Sequence, residues 1–115
     1  MEIFNSVTAP EPIEINLGVE KYKKIPEAIL LDVRTREEYA EGYIGGSFNL
    51  PIDELDGIAY IVKNPATPIF VYCRSGRRSA RAALFLRRIG YREVYDIGGI
   101  LDYKGEIKSI RKNSY

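Results

Sequence analysis

The chain has 115 residues, 45% hydrophobic and 29% charged, with 17 Lys and Arg against 16 Asp and Glu. That length suits one domain with a real core, and a formal charge of +1 gives no bulk attraction to nucleic acid or to a membrane surface. With no histidine and one cysteine, Cys/His zinc sites, Cys–His and Ser–His–Asp catalysis and an internal disulfide are all excluded within one chain.

In chain order, residues 1–12 are polar and punctuated by Pro10 and Pro12, and read as an N-terminal arm ahead of a single domain over 13–115. They show neither a basic start nor a long apolar stretch, so no signal peptide or membrane span is expected and the expected compartment is the cytoplasm. "IEIN" reads as a short strand and "LGVEKYKKI" as a weak helix that stops before Pro26. "AILLDV" is a continuous apolar run of strand length, as a strand buried on both faces would be. Thr35 and Glu38 have capping-box spacing, which predicts a short helix over "TREEYAE" ended by Gly42.

"GYIGGSFNLP" predicts a turn and a short strand broken at Pro51, and "DELDGIAYIV" has helical period. "IFVYC" is the second strong strand, rich in β-branched and aromatic residues. The best helix runs from Arg77 to Ile89, with Ala80, Ala83, Leu84, Phe85 and Leu86 as its apolar face and Gly90 as its stop. "REVYDI" is a further strand, followed by a turn at Gly98-Gly99. Strands alternating with helices predict an α/β fold with a mostly parallel sheet flanked by helices on both faces. Ligands of such folds gather at the carboxyl ends of the strands, where Cys73 falls.

A single cysteine is ordinarily a small buried hydrophobe. Cys73, however, ends a core strand, and "RSGRR" follows it, with Ser75 and Gly76 permitting a tight curve into a helix N-terminus. Such a terminus presents unpaired N–H groups and partial positive charge, and a curved loop converges its amides into an anion-binding nest. Those amides, with Arg74, Arg77 and Arg78, would stabilise a thiolate without a histidine. One of these arginines could instead pair with a carboxylate such as Glu38 or Asp32. Arg81, Arg87 and Arg88 read as a solvated helix surface. No metal or cofactor is expected.

"LLDVRTREEYAEGYIGGSFNLP", "IFVYCRSGRRSARAALFLRRIGY" and "VYDIGGILDYKG" together resemble a single-domain rhodanese, a thiosulfate sulfurtransferase-like family, over roughly residues 29 to 105. The resemblance implies a rhodanese-like fold with a five-stranded, mostly parallel sheet between helices. It implies that Cys73 carries a persulfide sulfur from a small anionic donor such as thiosulfate to cyanide, a thiol or a sulfur-acceptor protein. Cys73, Arg74, Ser75, Gly76, Arg77 and Arg78 match the active-site loop, and Asp32 and Arg34 the supporting Asp-Val-Arg at a strand end. The chain departs from the family pattern at Tyr43, usually histidine, and at Tyr103, usually tryptophan, which bears on specificity and loop packing.

Two other readings compete. A phosphatase or arsenate reductase of related fold places arginine at the sixth position after its cysteine, where this chain has Ser79. A non-catalytic binding module of the same fold often lacks the cysteine, which this chain keeps.

Overall fold

The computed structural model describes residues 7–110. Along the chain come α1 (Ile15–Lys23), β1 (Ile29–Asp32), α2 (Arg36–Glu41), β2 (Tyr43–Ile44), β3 (Ser47–Asn49), a 3-10 helix (Ile52–Tyr60), β4 (Ile69–Cys73), α3 (Arg77–Arg88), β5 (Val94–Gly99), a 3-10 turn (Ile100–Asp102) and β6 (Ile107–Lys108). Four strands form one parallel sheet in the order β3-β1-β4-β5, and β2 pairs with β6 as a separate antiparallel ribbon. The α/β class and the parallel sheet are as the sequence predicts. Among the described residues the central sheet holds four strands, close to the five expected, and β2 and β6 pair with each other outside it.

All five residues of β4 are buried, as a strand covered on both faces requires. Its side chains alternate between two apolar clusters. Ile69, Val71 and Cys73 join Leu31, Val33 and Val94 beneath α3 and the 3-10 helix, through Ala82, Ala83, Leu86, Leu55 and Ile58. Phe70 and Tyr72 join Leu30 and Ile97 beneath α1, through Ile15 and Val19. Each fully buried Leu, Ile, Val or Phe contributes about 1.5–3 kcal/mol, so the two clusters clamp β4 from both sides. Gly18 lets α1 lie close, since a Cβ there would come within 2.6 Å of the Ile97 Cβ.

Three local expectations change. "IEIN" is not a strand. Helix α1 begins inside it, with the Glu14 carboxylate accepting from the Asn16 and Leu17 N–H groups as a cap. On α3 the buried residues are Ser79, Ala82, Ala83 and Leu86, so the apolar face is rotated from the predicted one and Phe85 is exposed. Gly98 and Gly99 end β5 rather than forming a separate turn after it.

Of the predicted N-terminal arm, residues 7–12 are described and carry neither helix nor strand, while residues 1–6 lie outside the described residues. The Ile13 N–H donates to the Asp96 carbonyl at 2.8 Å, which fastens the chain to β5 just before α1. No helix among the described residues is long and apolar enough to cross a membrane.

Candidate active site

Strand β4 delivers Cys73 to the carboxyl edge of the sheet, and three residues separate it from α3. Gly76 caps that helix with φ of +105°, a left-handed conformation that glycine adopts without steric cost. The turn folds the backbone over the sulfur. Cys73 Sγ accepts the Gly76 N–H at 3.0 Å and the Ser79 N–H at 3.3 Å. Gly76, the cap residue of α3, has no side chain to cap it with. The thiol is free and its residue is fully buried.

The loop is held from behind by β5. Val71 pairs with Asp96, but Cys73 pairs with Gly99, so the register slips by one residue. The slip brings Gly99 against the loop, where a Cβ would strike the Arg74 carbonyl and lie 2.7 Å from Ser75 Cα. The Leu101 N–H donates to the Arg74 carbonyl at 3.2 Å. Beneath the first turn of α3, the buried Ser79 hydroxyl donates to Asp96 Oδ1 at 2.7 Å, and that oxygen also accepts the Gly98 N–H at 3.0 Å.

The arginines divide. The Arg78 guanidinium meets the Glu38 carboxylate in a two-pronged pair, with Nη1–Oε1 at 2.8 Å and Nη2–Oε2 at 3.0 Å. That hydrogen-bonded cation holds the Glu38 carboxyl down at about 2, against the opposing effect of partial burial. Arg78 is thus committed to a carboxylate. Arg74 and Arg77, with Ser75, are exposed, and neither arginine forms an ion pair among the described residues. A cleft of about 280 Å³ opens beside the loop, lined by Arg74, Arg34 and Glu38 together with Ile100 and Ile107.

Asp32 and Arg34 form a buried pair at the end of β1, with Arg34 Nη2 2.6 Å from Asp32 Oδ2. The same nitrogen donates to the Gly42 carbonyl at 2.6 Å, tying β1 to the junction of α2 and β2. Neither residue hydrogen-bonds Cys73. Tyr43 stacks on Tyr39, with ring centroids 4.4 Å apart, and Tyr103 is half-buried against the α1-side cluster.

The structure therefore gathers Cys73, Gly76 and Arg74 to Arg78 in one loop. Glu38 is the carboxylate partner of Arg78, one of the two carboxylates expected for such a pairing, and the structure adds Ser79, Asp96 and Gly99, to which the sequence assigned no part in the site. The only advance signal for Asp96 was a carboxylate inside the apolar run "VYDI".

The rhodanese-like domain profile matches residues 18–106. Thiosulfate sulfurtransferase PspE of Escherichia coli is 36% identical over 73 residues, covering 63% of this chain and 70% of that protein. The uncharacterized protein YqhL of Bacillus subtilis is 36% identical over 84 residues, covering 72% of this chain but 66% of the relative's own length. Among solved structures, a rhodanese from E. coli with anions superposes with a TM-score of 0.67 at 31% identity, covering 71% of this chain and 98% of that one. The matched span runs from within α1 to just short of β6 and includes the whole cysteine loop: the chain belongs to the rhodanese-like domain family.

Proposed function

We propose that the protein is a sulfurtransferase that moves a sulfane sulfur from a small anionic donor, thiosulfate or a close analogue, to a nucleophilic acceptor through Cys73. In the first step the Cys73 thiolate attacks the outer sulfur of thiosulfate. A new S–S bond forms to Cys73, the S–S bond of thiosulfate breaks, and its electron pair leaves with sulfite. In the second step cyanide or a thiolate attacks the terminal sulfur of the persulfide and Cys73 departs as thiolate. Electrons balance over the two steps with no external oxidant, reductant or cofactor.

The observation that carries this reading is the pair of N–H groups converging on Cys73 Sγ at the N-terminus of α3, where the cap residue is a glycine. Fixed donors aimed at a sulfur hold it in place and stabilise the negative charge that develops on it when it is displaced as a leaving group. Arg74 and Arg77, exposed and unpaired among the described residues, are the groups assigned to the donor's anionic end. Asp32 and Arg34 hold the neighbouring strand end. A site built on one free thiol suits a reducing compartment such as the cytoplasm. The acceptor is a small thiol or a sulfur-acceptor protein; neither nucleic acid nor membrane enters the reaction.

Intact-mass measurement after thiosulfate treatment tests the reading. One added sulfur is expected on the unaltered protein, lost again on adding cyanide, with none on Cys73→Ser. Unchanged mass after thiosulfate, or sulfur added equally to the serine variant, would remove Cys73 as the carrier.

A further inference from the structure

Asp96 is a carboxylate only 3% exposed, on a strand whose neighbours Val94 and Ile97 are fully buried. Burying a carboxylate is costly unless its oxygens are hydrogen-bonded, so its partners show what it holds. Oδ1 accepts from the Ser79 hydroxyl and from the Gly98 N–H. Both partners frame the sulfur loop. Ser79 donates its own N–H to Cys73 Sγ, and Gly98 lies behind Gly76, where a Cβ on Gly76 would sit 3.7 Å from Gly98 Cα.

The Ser79 hydroxyl has one proton and three acceptors in reach: Asp96 Oδ1 at 2.7 Å, the Gly76 carbonyl at 3.1 Å and the Gly98 carbonyl at 3.5 Å. A carboxylate is the strongest of these acceptors and also the nearest. Donation to Asp96 draws Ser79 toward β5 and leaves its backbone N–H directed at the sulfur. Without that oxygen the hydroxyl proton turns to the Gly76 carbonyl, within the loop itself, and the link from helix to strand is lost.

We infer that Asp96 is a positioning residue for sulfur transfer, acting through Ser79 and Gly98 to hold the first turn of α3 so that its amide hydrogens meet the reacting sulfur. The inference rests on the sulfurtransferase reading given above. Asp96 touches no substrate; its effect passes through the Ser79 backbone. The acceptor oxygen and its placement matter, rather than the charge, so asparagine should serve in its place.

Steady-state transfer from thiosulfate to cyanide, measured at a temperature where every variant is folded by circular dichroism, provides the test. Asp96→Ala should lower kcat about tenfold or more, because small displacements of catalytic donors are expensive in rate. KM for thiosulfate should stay within about twofold, since the exposed arginines that meet the donor are untouched. Asp96→Asn should restore most of the lost kcat. Ser79→Ala removes the other half of the same hydrogen bond and should show the same fall; if Asp96→Ala does not fold, this variant carries the test. The double variant should be no worse than Asp96→Ala alone. An unchanged kcat, a fall not restored by asparagine, or additive losses in the double variant would each overturn the inference.

Failure of the function reading shows separately, as no thiocyanate from the unaltered protein. In that event the rate of Cys73 reaction with an aromatic disulfide reagent at neutral pH reads the positioning directly. It should be slower in Asp96→Ala and Ser79→Ala and restored in Asp96→Asn, whereas an unchanged or faster rate would mean that Asp96 does not direct donors at the sulfur.

Discussion

Two junctions of the same kind, strand leading to helix at the carboxyl edge of the sheet, solve the same physical problem differently. Where β1 leads to α2, the first-turn amides are satisfied by the chain's own side chains. Thr35 Oγ1 accepts the Glu38 N–H at 3.1 Å and Glu38 Oε1 accepts the Thr35 N–H at 2.8 Å. Where β4 leads to α3, the cap residue is a glycine with no side chain, and the N–H of the third helical residue goes to Cys73 Sγ. The sulfur occupies the role a capping hydroxyl usually fills. The first junction is closed by a hydroxyl and a carboxylate, whereas the second places its donors on a thiol sulfur, the atom proposed above to carry the transferred sulfur. Glu38 links the two, since its carboxylate completes the first cap and also binds Arg78 at the start of α3.

Removing the reactive atom from the open junction should have the largest effect. Cys73→Ser should abolish thiocyanate formation from thiosulfate. Because an oxygen there can accept the same two amides, stability by urea unfolding should change by less than about 1 kcal/mol. Retained turnover would place the reacting group elsewhere.

The next largest effect should come from crowding the open junction from behind. Gly99→Ala puts a methyl group against the Arg74 carbonyl and Ser75 Cα, backbone atoms that have no flexible end to move. A loss of about 3 kcal/mol is expected in chemical denaturation, together with slower turnover. Wild-type stability in that variant would mean that β5 and the loop do not pack closely at Gly99.

The unpaired and paired arginines sharpen the comparison further. Arg77→Ala should raise KM for thiosulfate about tenfold, which corresponds to about 1.4 kcal/mol of donor binding, with little change in the unfolding midpoint. Arg78→Ala should do the reverse, lowering stability while leaving KM nearly unchanged, because its guanidinium is already held by Glu38. Equal KM values in the two variants would show that pairing does not separate their roles.

The smallest effect concerns the link between the junctions. Glu38→Gln keeps the capping geometry and removes the charge that pairs with Arg78; a cost of about 1 kcal/mol is expected for this pair, whose side chains are 28% and 26% exposed. The Glu38 carboxyl titrates at about 2 in the folded protein, below the ordinary value of about 4.3. The stabilisation is therefore present above the ordinary value and is lost as pH falls toward 2. The stability difference between the unaltered protein and Glu38→Gln should be full at pH 6 and gone near pH 2. A difference independent of pH over that range would assign the effect to something other than the ion pair.

The closed junction was legible in the sequence because its signals are local: Thr35 and Glu38 stand three apart, at the end of an apolar strand. The open junction was half legible. Strand β4, Gly76 and the start of α3 follow from composition and period, and the possible pairing of an arginine with Glu38 followed from charge alone. What fastens the loop did not, because Asp96, Gly99 and Leu101 meet it only through the pairing of β5 with β4. The start of α1 was misread for the same reason. "IEIN" alternates like a strand, but Asn16 donates to the Asp102 carbonyl at 2.9 Å and accepts the Lys104 N–H at 2.8 Å, contacts far away in sequence. On α3 the exposed Phe85 and buried Ser79 invert a simple hydrophobic ranking. Ser79 is inside because Asp96 offers it an acceptor there.

The parallel order β3-β1-β4-β5 also bears on how the site comes into being. No two neighbouring strands of that sheet are joined by a tight hairpin; Ile29 lies beside Ile69, and Ile69 beside Val94. Each pairing closes a long loop before its contacts can stabilise it, so folding is governed by high contact order and is slow relative to a helical bundle of equal size. A second cysteine would then offer a wrong internal disulfide as a kinetic trap, and this chain has no second cysteine. Its one nucleophilic sulfur can complete a slow search without an internal partner with which to become trapped.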